Sequence, residues 1–202
     1  MKVETSGMTQ RPHFKRKSVL LFLALIAFGW PAHSVEIEGV NFPDQIRVSE
    51  APLQVLNVYG VALLRYRILF RGYVAALYLP PDASAADALS DRPRRLELSY
   101  FWPIAGSDFG SAAEKLLERQ LTQRQLDLLK PRIDQLHSSY RDVEPGDRYA
   151  LTYLPGIGTE LRLNNESLIT IPGQDFAEAY FGIWLGQRPF DEGLRDDLLR
   201  RG

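Results

Sequence analysis

Residues 96, 98 and 100 (Leu, Leu, Tyr) alternate with Glu97 and Ser99. That period of two predicts a strand with one buried face. The same reading extends along much of the chain. Residues 35–48 read as an extended lead-in with a turn at Phe42-Pro43-Asp44. Strands are predicted over 53–58 and 61–70, and Gly72 interrupts before the next strand at 73–79, which Pro80-Pro81 ends. Three short strands follow later, over 149–154, 160–163 and 168–171, the last two joined by the hairpin signal Asn164-Asn165. Helical spacing fills the gaps. A short helix is expected at 83–89. Ser107 offers an N-cap for a helix reaching about Leu121, and a second helix runs over 124–140. Residues 174–185 are apolar nearly all round, which predicts a helix buried on most sides, closed by Gly186 and kept from continuing by Pro189. A charged helix over 191–201 ends the chain. Strands and helices in segregated blocks predict an α+β fold.

One stretch resists the simple pattern. If 61–71 is a single strand, Arg65, Arg67, Leu69 and Arg71 share one face, while Tyr66, Ile68 and Phe70 share the other. The arginines then either form a solvated sheet face, or one of them turns into a cavity where its guanidinium grips a carboxylate. Alternation leaves both readings open.

The chain has 202 residues, 45% of them hydrophobic, and a formal net charge of −1, so nothing electrostatic points to nucleic acid. The first 34 residues hold five of the 24 basic residues and one of the 25 acidic ones, leaving 19 against 24, a charge of −5, for the rest. Their order is that of a secretory signal: Arg11 and Lys15-Arg16-Lys17, then an apolar run over 19–30, then Ala32-His33-Ser34 as a cleavage site. That run is short of the ~20 residues that span a bilayer. The expected organisation is a signal over 1–34, cleaved near Ser34, and one domain over 35–202 with no membrane span, exported to the periplasm. An uncleaved N-terminal anchor is the competing reading. There is no cysteine, which excludes disulfides and thiol chemistry. His137 is the one histidine beyond the signal; in a charged helical segment it reads as a surface residue. No metal or cofactor is expected. Gly156-Ile157-Gly158 reads as a loop between strands, not a phosphate cradle before a helix.

Three blocks, "LLRYRILFRGYVAALYLP", "PGDRYALTYLPGIGTELRLN" and "TIPGQDFAEAYFGIWLGQRPFDEGLRDDLL", resemble the bacterial chalcone isomerase-like family in order and spacing. The resemblance covers roughly residues 35–200. It implies an open-faced β-sandwich, a large antiparallel sheet with helices packed over one face, and a ligand cleft between them. In plant members that close a flavanone ring, an arginine steers the oxyanion, and a threonine, a tyrosine, an asparagine and a second hydroxyl residue supply hydrogen bonds. By resemblance the arginine falls on Arg65. The other four positions fall on Tyr73, Phe109, Leu116 and Ile183. Polar groups are lost and apolar ones gained, and each missing oxyanion donor costs about 3–4 kcal/mol of transition-state stabilisation. The resemblance therefore implies the non-catalytic branch, whose fatty-acid-binding members pair the arginine with a tyrosine on a carboxylate. Arg65 and Tyr73 match that pair, and Phe109, Leu116 and Ile183, with Trp184, suit an acyl chain. The expected function is binding of a fatty acid or similar apolar carboxylate. Two alternatives stand beside it: an isomerase or lyase using Arg65 to stabilise an oxyanion, and an envelope interaction module whose cleft is filled by side chains.

Overall fold

The computed structural model describes residues 33–50, 52–66 and 70–201. The signal expected over 1–34, including its basic and apolar runs, lies almost wholly outside them. A two-stranded hairpin comes first, β1 (Ser34–Ile37) and β2 (Val40–Pro43). Seven strands then form one antiparallel sheet in chain order: β3 (Gln45–Glu50), β4 (Leu53–Tyr66), β5 (Phe70–Leu79), β6 (Arg94–Tyr100), β7 (Arg148–Leu154), β8 (Gly158–Leu163) and β9 (Glu166–Ile171). Between β6 and β7 lie α1 (Gly106–Gln120) and α2 (Gln123–His137). After β9 come α3 (Gln174–Leu185) and α4 (Glu192–Leu198). This is the expected α+β architecture, a curled antiparallel sheet with helices over one face.

Period two assigns each strand residue to a side. Leu77, Leu96, Leu151 and Leu161 meet Phe176, Phe181 and Ile183 of α3 in the main core. Their alternates Val74, Ala76 and Tyr78 turn to the other face, where Phe42 of the β1–β2 hairpin packs on Leu56 in a smaller core. Each such side chain contributes roughly 1.5–3 kcal/mol when fully buried. The Asn164-Asn165 hairpin forms as predicted, both residues at positive φ (48° and 71°), where asparagine is tolerated better than most residues.

Several boundaries differ from the sequence reading. The strands expected at 53–58 and 61–70 are one 14-residue strand with a register shift between Val58 and Gly60. Gly60 is required there: a Cβ would lie 2.4 Å from the Leu198 carbonyl oxygen, where α4 docks. The turn lies before Gly72, not at it. β4 and β5 form a hairpin in which Arg65 pairs with Arg71, and Gly72 is the extra residue of a bulge between Leu64 and Arg65. Arg67 and Leu69, expected on the same strand face, lie outside the described residues. Ser107 does not cap α1. The cap is Ala105, and the N–H of Gly106 donates to Asp142 Oδ1 at 2.8 Å instead. The helix expected at 83–89 is a single 3₁₀ turn over Ala85–Asp87. α2 stops at His137, and α4 is shorter than the charged run that suggested it. His137 is not a plain surface residue. Its ring packs against Tyr140 and Tyr180 and beside Gly110, and burial pulls its pKa below the ordinary histidine value.

Candidate functional site

A cavity of about 320 Å³ lies between the sheet and the helices. Its floor is the inner face of the sheet: Leu64, Tyr73, Leu98, Tyr100, Tyr149, Leu151 and Leu161. Its roof comes from helices. On α1, Phe109, Ala112, Ala113 and Leu116 recur at helical spacing, and α3 adds Ile183 and Trp184. The two alanines leave the space that larger residues would fill. Among the described residues no Arg, Lys or His side chain lines it, and Asp108 is the one carboxylate that does.

Apart from Asp108 and the Trp184 indole, the polar side chains of this cavity are phenols. Tyr73 Oη accepts a hydrogen bond from Trp184 Nε1 at 3.1 Å. Tyr140 and Tyr180 share a hydroxyl–hydroxyl bond of 2.9 Å, and Tyr149 donates to the Arg141 carbonyl at 2.8 Å. Phe109 sits among these rings, with centroids 5.4 Å from Tyr100, 5.2 Å from Tyr140 and 5.3 Å from Tyr149. Burial is the main cause that raises the pKa of Tyr73, Tyr100 and Tyr140 far above the ordinary phenol value. These hydroxyls stay protonated at neutral pH, so they can donate hydrogen bonds but cannot act as bases.

Four of the five residues singled out from sequence, Tyr73, Phe109, Leu116 and Ile183, line the cavity together. Arg65 does not. Ala62 and Leu64 face the helices, so Arg65 falls on the opposite side with Val61 and Leu63. Its side chain is 60% exposed and lies 3.5 Å from Glu38 of the β1–β2 turn, which also holds Arg71 at 3.0 Å. Sequence reasoning missed Tyr100, Tyr140 and Tyr149. For Tyr100 and Tyr149 a signal existed, since each lies two residues from a leucine of the inner face, at 98 and 151. Tyr140 follows the end of α2 and has no periodic signal.

The profile of the family described as chalcone isomerase-like matches residues 34–200, most of the chain. The chain belongs to the chalcone isomerase-like family. No curated protein matches it in sequence. Among solved structures it is similar to the crystal structure of an Arabidopsis thaliana fatty-acid binding protein. The TM-score is 0.60 at 15% identity, over 83% of this chain and 96% of that one. At that identity the likeness shows a shared fold. In this family member, the helix-covered face and its cavity occupy the place that the family resemblance gave to a ligand cleft.

Proposed function

We propose that this protein binds a fatty acid or similar single-chain apolar carboxylate in the cavity between sheet and helices, without transforming it. The observation that carries the reading is the lining: Phe109, Leu116, Ile183 and the inner-face leucines surround about 320 Å³, with no cation and no ionised phenol among the described lining residues. That volume falls within the range of small-molecule pockets, about 300–1,000 Å³, which favours a ligand site over a cleft packed shut by side chains. A catalyst would need a group to exchange protons near the substrate; the phenols held neutral by burial do not supply a base, and Asp108, the one lining carboxylate, is exposed to solvent. The similarity to a fatty-acid binding protein of the same fold supports the same ligand class.

The head group belongs near Tyr73. Because Tyr73 accepts from Trp184, its own proton remains to donate to a carboxylate oxygen. Arg65, which faces the other side of the sheet and pairs with Glu38, is not part of this site. Export through the N-terminal segment would make this a periplasmic carrier or buffer of such acids.

Native mass spectrometry and a palmitate titration test the reading. Wild type should bind one palmitate saturably. Ile183→Trp should abolish binding by filling the cavity, and Tyr73→Phe should weaken it about tenfold. A wild-type protein that shows no saturable binding sinks the proposal. Equal binding by Ile183→Trp moves the ligand out of this cavity.

A further inference from the structure

The outer face of the same sheet carries a second cleft, of about 680 Å³, with the opposite chemistry. Among the described residues four guanidiniums line it, Arg47 from β3, Arg95 from β6, Arg148 from β7 and Arg162 from β8, with one carboxylate, Glu97. The strand register explains the cluster. Glu97, Ala150 and Arg162 are direct partners across β6, β7 and β8, while Arg95 and Arg148 sit two residues along their own strands on the same face. Ala150 is the small floor between them.

Glu97 alone does not balance the two arginines that hold it. Arg95 Nε donates to Glu97 Oε1 at 2.8 Å and Arg148 Nη1 to Glu97 Oε2 at 2.9 Å, so two cations share one buried carboxylate. Arg162 lies 3.3 Å from Glu160, and its other nitrogen donates to the Asn165 carbonyl. This excess of positive charge sits on a region, residues 35–202, whose net charge is −5.

We propose that this outer-face cleft binds a phosphoryl or pyrophosphoryl group carried by a larger molecule. A carboxylate offers two oxygens, which one or two guanidiniums satisfy. Four guanidiniums from four strands, lining one cleft around an alanine, suit a multiply charged group with three or more oxygens. The cleft's size leaves room for the carrier. The inference is independent of the fatty-acid reading, since the two sites occupy opposite faces of the sheet.

Titration calorimetry with inorganic pyrophosphate tests the site, beside co-sedimentation with phosphatidylcholine vesicles containing or lacking phosphatidic acid. Wild type should bind saturably in at least one arm, and binding should weaken steeply as salt rises. Arg162→Gln and Arg47→Gln should each weaken it at least tenfold while circular-dichroism melting stays as in wild type, and Arg162→Lys should recover part of the loss. Binding of pyrophosphate identifies a soluble phosphorylated ligand. Binding only of phosphatidic acid vesicles identifies a lipid head group. Absence of saturable binding in both arms overturns the proposal, as do Arg162→Gln and Arg47→Gln proteins that bind as well as wild type.

Discussion

The two faces of one sheet are built from alternate residues of the same strands, yet they solve opposite problems. On β7, Tyr149, Leu151 and Tyr153 turn toward the helices and line or pack around a largely apolar cavity. Arg148, Ala150 and Thr152, one residue out of step, turn to the other side and join a charged network with Arg95, Glu97 and Arg162. Adjacent residues thus live in environments that reward opposite chemistry. Placing the same substitution at adjacent positions is the sharpest way to break the comparison. Leu151→Asp puts a carboxylate into the apolar cavity floor with no cation lining it. Burial of an unpaired charge should cost at least about 4 kcal/mol, and the protein should be largely unfolded in circular dichroism. Ala150→Asp puts the same group among four arginines. It should cost under about 1 kcal/mol and should compete with any anion for the outer cleft. Equal destabilisation by the two would show that the faces are not electrostatically distinct.

The outer face depends on its one shared carboxylate. Glu97→Gln keeps the shape but removes the charge between Arg95 and Arg148, whose side chains are 15% and 29% exposed. Solvent can take up part of the loss, so about 2 kcal/mol is expected in urea unfolding, below the 3–5 kcal/mol typical of a fully buried pair. A change under about 0.5 kcal/mol would mean that the arginines hold their places without it.

The inner face has one exception to its uncharged character. Arg94 begins β6 on the same side as Leu96 and Leu98, is fully buried, and lies over the rings of Tyr153 (4.5 Å) and Phe181 (4.6 Å). Its Nη1 donates to the Ser90 carbonyl at 2.6 Å, but Nε and Nη2 have no partner among the described residues, and burial pulls its pKa down to about 10. Cation–π contact is worth up to about 2 kcal/mol when desolvated, and the two orphaned donors cost a similar amount. Arg94→Met, which keeps the volume, should therefore change stability by less than about 1 kcal/mol. Arg94→Ala should cost about 3 kcal/mol through the cavity it leaves under the rings. A large loss in Arg94→Met would show that the charge itself, not its bulk, holds this corner.

The sequence made much of this legible and hid one part. Alternation at 96–100 and the all-round apolar run at 174–185 led to the β6 strand and the buried α3, because period and burial are local properties. Four of five cavity residues were reachable for the same reason: their block positions in the family carry over without needing the third dimension. Arg65 was placed in the pocket by resemblance, yet the strand's own parity puts Leu64 there. Which face of a strand is inward is decided by where the helices pack, and a single strand does not record that. The arginine cleft was equally hidden. Arg95, Arg148 and Arg162 are separated by up to 67 positions, and only the register of three strands brings them around Ala150.

The smallest expected effect concerns the helix layer that roofs the inner face. Arg132 on α2 grips Asp175 at the start of α3 through both nitrogens, at 2.8 and 2.5 Å, and also donates to the Pro172 carbonyl at 3.0 Å. The hydrogen bonds from Arg132 are the main cause that holds the Asp175 carboxyl below its ordinary range. A depressed carboxylate stabilises the fold above its unfolded pKa, and that contribution is lost as pH falls through the folded value. Asp175 is 63% exposed, so the contribution is about 0.5 kcal/mol after solvent screening. Asp175→Asn should therefore be about that much less stable than wild type at ~pH 7, and the gap should close on acidification to ~pH 2. Urea unfolding at both pH values measures it. A gap of 2 kcal/mol or more, by the scale of buried pairs, would mean that surface charge fixes the roof as firmly as Glu97 fixes the outer face. A gap near the expected size leaves the roof held by Phe176, Phe181 and Ile183, and the contrast between an apolar inner face and a charge-built outer one stands.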